Sequence, residues 1–125
     1  MSGFFIENRV YYENTDAGGI MFYGEYLRFF ERARTEYLRS LGFSVADLTK
    51  GENPTIFVVR HVEVDYLKPI FLDDMLHITA HIIQKKHSSV LFEQNILRDN
   101  IITTTAKILC VATDINGKPK KCTIL

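Results

Sequence analysis

The sequence is poor in cysteine: two in 125 residues, Cys110 and Cys122. Two thiols cannot build a disulfide scaffold. Cys110 falls in a strand-like run and Cys122 in the tail, and both read as reduced. Neither sign of charge is in excess. The 15 Lys and Arg balance 15 Asp and Glu, for a formal net charge of zero. That excludes binding to nucleic acid driven by charge, and it permits copies of the chain to associate. Apolar runs are a few residues long, far short of a membrane span. The opening residues MSGFFIE have no basic region and no long apolar core, so no export signal is read and a cytoplasmic location is expected. What is present is 46% hydrophobic and 24% charged. Such a chain folds, and its length suits one domain over residues 1–125. It has no repeat, linker or low-complexity segment.

Familiar catalytic signatures are missing as well. There is no HExxH and no CxxC. Ser2, Ser40, Ser44, Ser88 and Ser89 stand in no nucleophile elbow. Gly18-Gly19 belongs to no P-loop and no dinucleotide fingerprint. His77 and His81 share a strand face, but four residues of strand separate them by roughly 13 Å, too far to share a metal. His61, Glu63 and Asp65 share another face and read as a ligand set or as a solvated or interface face. No metal and no cofactor are expected.

Residues 4–12, FFIENRVYY, read as a strand, ended by the loop and cap residues of 13–19. Residues 25–41 are the clearest helix. Tyr26, Phe30, Ala33, Tyr37 and Leu41 recur at three- and four-residue steps, and Leu27, Phe29 and Leu38 widen the stripe. Gly42 supplies the stop. The stripe covers roughly half the circumference, which calls for a sheet to cover it. Glu25, Arg28, Glu31, Arg32, Thr35 and Arg39 form the polar face, and Arg34 is expected to snorkel or to pair with a carboxylate.

Four strand patterns follow. The first runs through residues 56–66, with Val62, Val64 and Tyr66 on one face. Leu76, Ile78, Ala80 and Ile82 share a face of the second. Val90, Phe92 and Ile96 do so in the third, and Ala106, Ile108, Cys110 and Ala112 in the fourth. Turns are expected at 71–74, 85–88, 98–100 and 116–117. Short connections imply antiparallel neighbours. The expected architecture is α+β: one long helix on a five-stranded antiparallel sheet.

One segment carries a chemical pattern. Asp16 precedes two glycines and the apolar Ile20-Met21-Phe22-Tyr23 that lead into the helix. Backbone N–H groups at a helix start are unsatisfied donors at a positive dipole end. Glycine lets a carbonyl approach them, and a carboxylate nearby can attack that carbonyl or activate water. Asp and Asn before a helix also serve as plain caps, and Gly-Gly as a plain turn.

The stretch TDAGGIMFYGEYLRFFERAR, residues 15–34, closely resembles the signature of the hotdog-fold acyl-CoA thioesterases. That group includes 4-hydroxybenzoyl-CoA thioesterase and the Tol-Pal-associated, YbgC-like enzymes. Residues 64–74, VDYLKPIFLDD, resemble the family's second strand and turn. The resemblance implies a central helix wrapped by a curved antiparallel sheet, and homodimers or homotetramers with active sites between subunits. It implies hydrolysis of an acyl-CoA to free acid and coenzyme A, a place in lipid metabolism, and no metal. Position by position, Asp16 matches the catalytic carboxylate, as nucleophile or general base. Tyr23 matches the residue whose backbone N–H polarises the thioester carbonyl. Gly19 matches the glycine that permits close approach. YbgC-like members often carry His where this chain has Tyr23, and the hydroxybenzoyl branch commonly has Tyr.

On this reading Phe22, Phe57, Val59 and Tyr66 line an acyl tunnel or serve as ordinary core. Lys68, Lys85 and Lys86, with the tail residues Lys118, Lys120 and Lys121, meet the phosphates of coenzyme A or are simply solvated. An alternative of a different class is a non-catalytic module of the same fold that holds an acyl chain or an acyl carrier protein. A hotdog dehydratase fits less well, because the signature is centred on Asp rather than His.

Overall fold

The computed structural model describes residues 3–125; Met1 and Ser2, which open the segment read for an export signal, lie outside the described residues. The elements run β1 (Phe5–Arg9), α1 (Glu25–Ser40), α2 (Val45–Leu48), β2 (Ile56–Tyr66), β3 (Met75–Thr79), β4 (His81–Lys85), β5 (Ser89–Arg98) and β6 (Ile101–Thr113). The expected α+β arrangement is present: one long helix and an antiparallel sheet. Among the described residues the sheet has six strands rather than five, ordered β1-β3-β5-β6-β2 with β4 also on β5. Among the described residues no helix is long and apolar enough to cross a membrane.

The extra strand comes from an interruption. Residues 76–82 keep the expected alternation, and Leu76, Ile78 and Ala80 are buried. Both β3 and β4 pair with β5 in a common register, His77 with Leu97 and His81 with Glu93. Between them the ladder is broken by side chains. The Thr79 Oγ1 accepts the Asn95 N–H at 2.8 Å, and the Thr79 carbonyl accepts the Gln94 amide at 3.0 Å. Gln94 is fully buried on a face otherwise made of Val90, Phe92 and Ile96.

The first strand is shorter than the pattern of residues 4–12 suggests. After β1, Val10 pairs instead with the turn before β3, donating to the Asp74 carbonyl and accepting from Asp73, both at 2.9 Å. The chain then tightens into a 3-10 turn at Tyr12–Asn14, closed by the Asn14 Oδ1 on the Tyr11 N–H at 2.8 Å.

In α1, Tyr26, Phe29, Phe30, Ala33 and Leu38 are buried against the sheet, as the periodicity predicts. Leu27 and Leu41 are exposed, and Glu25, placed on the polar face by its type, is buried. The helix ends at Ser40. Gly42, at φ 95°, follows with its N–H on the Arg39 carbonyl while the Phe43 N–H reaches Leu38, a Schellman stop. Leu41 thus leaves the stripe. Among the described residues Arg34 pairs with no carboxylate; its Nη1 donates to the Gln94 Oε1 at 2.9 Å. The four-residue α2, capped by Ser44, has too few residues to show a helical period.

The connection of residues 67–74 is not a hairpin. It leaves β2, which pairs only with β6 at one edge, and reaches β3 beside β1 at the other side of the sheet. This crossing lays one motif stretch against the other.

Candidate active site

The Asp16 loop is a small hairpin. Thr15 bridges Met21, the Asp16 N–H donates to the Ile20 carbonyl at 2.9 Å, and the Phe22 N–H donates to the Asn14 carbonyl at 2.9 Å. At its tip the Asp16 Oδ1 accepts the Gly18 N–H at 2.8 Å and the Ile20 N–H at 3.4 Å. One carboxylate oxygen is therefore held by the backbone. Oδ2 has no hydrogen bond among the described residues. Gly19 sits at φ 78°, a torsion that L side chains rarely adopt, and a Cβ there would point into open space.

The hairpin is seated on the crossing connection. Ile20 bridges Phe71, the Met21 N–H donates to the Ile70 carbonyl at 2.7 Å, and the Leu72 N–H to the Gly19 carbonyl at 3.0 Å. The connection is itself pinned by a charged pair that the sequence did not single out. Asp74 Oδ2 accepts the Phe71 N–H and an Arg98 Nη1, each at 2.8 Å. Arg98 also donates to the Pro69 carbonyl at 2.9 Å, and its guanidinium stands over the Phe71 ring.

Beyond the hairpin, Tyr23 and Gly24 precede α1. Among the described residues their N–H groups donate to no other group. Tyr23 lies three residues past Ile20, the backbone partner of Asp16, so at most about 11 Å of chain separates these positions. Tyr23 is 69% exposed, and its ring packs at a tilt against that of Phe22, 4.7 Å between centroids. The Tyr66 hydroxyl donates to the Tyr23 carbonyl at 3.5 Å, and Tyr66 meets Tyr26 edge-on at 4.7 Å. Burial raises the pKa of Tyr26 and Tyr66 above the ordinary 10.0. Glu25, the first residue of α1, has Oε2 buried with no hydrogen-bond partner and Oε1 3.6 Å from Arg28.

Asp16, Gly19, Phe22, Tyr23 and Tyr66 thus gather at one end of β2, and Lys68 follows there, its N–H on the Thr103 carbonyl. Phe57 and Val59 do not join them. Nine residues of strand separate Phe57 from Tyr66, about 30 Å. Phe57 and Val59 line a separate cavity of about 340 Å³ with Leu38, Val45, Phe92 and Arg34. Lys85, the last residue of β4, and Lys86 are at that far end too, beside the turn whose Ser88 and His87 carbonyls bind the Ala112 and Cys122 N–H groups. Burial pushes the Cys110 thiol up from 9.0, and it lowers the pKa of Arg34.

Among the described residues no three His, Cys, Asp or Glu side chains gather as a metal site. His61 and Glu63 meet at 3.3 Å on the exposed side of β2, and Asp65 does not complete a set with them.

The profile of the thioesterase superfamily matches residues 18–105. The chain belongs to that superfamily. It is 43% identical over 119 residues to the acyl-CoA thioesterase YbgC of Haemophilus influenzae, covering 95% of this chain and 86% of the relative. It is 42% identical over 114 residues to the acyl-CoA thioester hydrolase YbgC of Escherichia coli, covering 90% and 84%. A crystal structure of a probable thioesterase from Bartonella henselae superposes with a TM-score of 0.93 at 33% identity, covering 97% and 99% of the two chains. The thioesterase and YbgC-like resemblance of residues 15–34 and 64–74 therefore holds across the chain, and its hotdog architecture holds with it.

Proposed function

We propose that the chain is an acyl-CoA thioester hydrolase that works in the cytoplasm as one catalytic domain over residues 1–125. Acyl-CoA and water give the free acid and coenzyme A. One observation carries the reading. A carboxylate tethered through one oxygen lies a few residues before α1, where among the described residues the Tyr23 and Gly24 N–H groups donate to nothing, in a member of the thioesterase superfamily.

The thioester carbonyl accepts the Tyr23 N–H at the positive end of α1. The open space beside Gly19 admits it. Asp16 then acts through Oδ2. As nucleophile it attacks the carbonyl carbon, and water hydrolyses the resulting anhydride. As general base it takes a proton from the attacking water. In both routes the negative charge develops on the carbonyl oxygen, the C–S bond breaks and the coenzyme A thiolate leaves to take up a proton. One preorganised donor of this kind contributes about 3–4 kcal/mol. The scheme uses no metal and no cofactor.

The acting form is a homodimer, or a tetramer of two such pairs. An isolated β2 is an eleven-residue edge with Val58 and Val59 each 45% exposed, and unpaired edges recruit strands. Two copies related by a two-fold axis pair β2 antiparallel about its centre. That sets Phe57 and Val59 of one copy beside the Asp16, Tyr23, Phe22 and Tyr66 end of the other, with Lys85 and Lys86 at the same end of the first copy's sheet, beyond β6 and β5. The two groups that are far apart in one chain then serve as one site: acyl cavity, thioester centre and, with Lys68, cations for the coenzyme A phosphates. An acyl carrier protein presents the same thioester on the same pantetheine arm.

The test is a panel of acyl-CoAs with purified protein, read as free thiol, alongside sedimentation. Thiol release by a dimer or tetramer is expected. Binding without release would favour the non-catalytic acyl-chain or acyl-carrier-protein module instead, and a fully active monomer would refute the shared site.

A further inference from the structure

The cavity lined by Phe57 and Val59 is apolar over most of its wall, to which Leu38, Val45, Leu48 and Phe92 contribute beside the hydroxyls of three threonines. Arg34 is the one cation in that wall among the described residues. A guanidinium carries five N–H donors, and one hydrogen bond is recorded for it, Nη1 to the Gln94 Oε1 at 2.9 Å. No ion pair joins it to a carboxylate among the described residues. Glu31, which also lines the cavity, is exposed and does not pair with it.

Nor can Arg34 easily swing away. Gln94 is fully buried and is locked by its own bonds to the Phe30 and Thr79 carbonyls, each at 3.0 Å. A partly desolvated charge with spare donors in an apolar cavity is unfavourable until an acceptor arrives. At about 340 Å³ the cavity is at the small end of ligand sites. A short chain ending in an anion matches its size, its apolar wall and the spare donors of Arg34.

We infer that Arg34 determines specificity, selecting acyl groups that end in a carboxylate, the mono-thioesters of short dicarboxylic acids. The inference rests on the thioester-hydrolase reading above and on the cavity of one copy serving the thioester centre of the other. The distal carboxylate meets the guanidinium through two parallel N–H···O bonds. A neutral chain of equal length leaves that charge without a carboxylate partner.

The test compares adipoyl-CoA with hexanoyl-CoA, equal in length and differing at the far end, by thiol release from the full chain. Wild-type kcat/KM is expected to favour adipoyl-CoA by at least about 10-fold. Arg34→Met, which keeps the bulk and removes the charge, is expected to abolish that preference, and Arg34→Lys to keep part of it. Equal wild-type kcat/KM for the two esters would overturn the assignment, as would a preference that Arg34→Met leaves intact; hydrolysis itself would stand. Thiol release from neither ester would be a different failure, sinking the hydrolase reading and this inference with it. The wild-type comparison decides the matter even if Arg34→Met does not fold.

Discussion

Replacing Gln94 by Leu tests whether one buried amide organises both the sheet and the helix. The change keeps the volume and removes three hydrogen bonds: to Phe30, to Thr79 and from Arg34. The Phe30 carbonyl keeps its helical partner. The Thr79 carbonyl is left without one, at a cost of about 2 kcal/mol, and the lost bond to the guanidinium adds about 2 kcal/mol more. Burying leucine in place of the amide returns about 1.5 kcal/mol. The net loss is therefore about 2.5 kcal/mol, a fall in Tm of roughly 10 °C for a chain of this size. Urea melts of the wild type, Gln94→Leu, Arg34→Met and the double variant form a cycle. Because both single changes remove one shared bond, the double variant should cost about 2 kcal/mol less than their sum. A Gln94→Leu protein within about 0.5 kcal/mol of wild type would refute the reasoning, and so would strict additivity.

Glu25→Met should stabilise the fold by about 1 kcal/mol, because it removes a carboxylate oxygen buried without a partner; urea melts read this. Tyr23→His should leave kcat within about 3-fold, since the donor is a backbone N–H. Tyr23→Pro, which deletes that N–H, should lower kcat by about 10²–10³ with substrate at saturation. Burial raises the pKa of Tyr26 above its unfolded value near 10.0. Its contribution to stability is thus fully present below pH 10 and is lost as pH rises through the folded value. Tyr26→Phe should flatten the alkaline fall in Tm, and an unchanged slope would show that Tyr26 does not drive it.

Much of this was legible in the sequence because it follows from periodicity. The alternating faces of β5 and β6 depend only on which residues repeat, and they appear where expected; in α1 Tyr26, Phe29, Phe30, Ala33 and Leu38 do so too, while Leu27 and Leu41 of the same stripe are exposed. The Asp16 loop was legible for another reason: Asp, Gly-Gly and an apolar lead into a helix form a local pattern. What escaped depends on contacts between distant residues. Gln94 interrupts a strand by bonding Thr79, fifteen residues away. Asp74 and Arg98 pin the connection beneath the loop across twenty-four residues. Glu25 is buried although its type suggests a solvated face. The acyl-tunnel set divides between two ends of β2, because residues on one strand face can still stand far apart along it.

The central claim is that the Asp16 carboxylate, and not merely the loop it organises, breaks the thioester. Asp16→Asn separates the two, since the amide oxygen can still accept from Gly18 and Ile20. The measurement is single-turnover thiol release by this variant on the best ester for the wild type, beside its melting curve and sedimentation. An unaltered fold and assembly with turnover reduced by about 10³ or more is the predicted result. Release near the wild-type rate from the intact variant would contradict it.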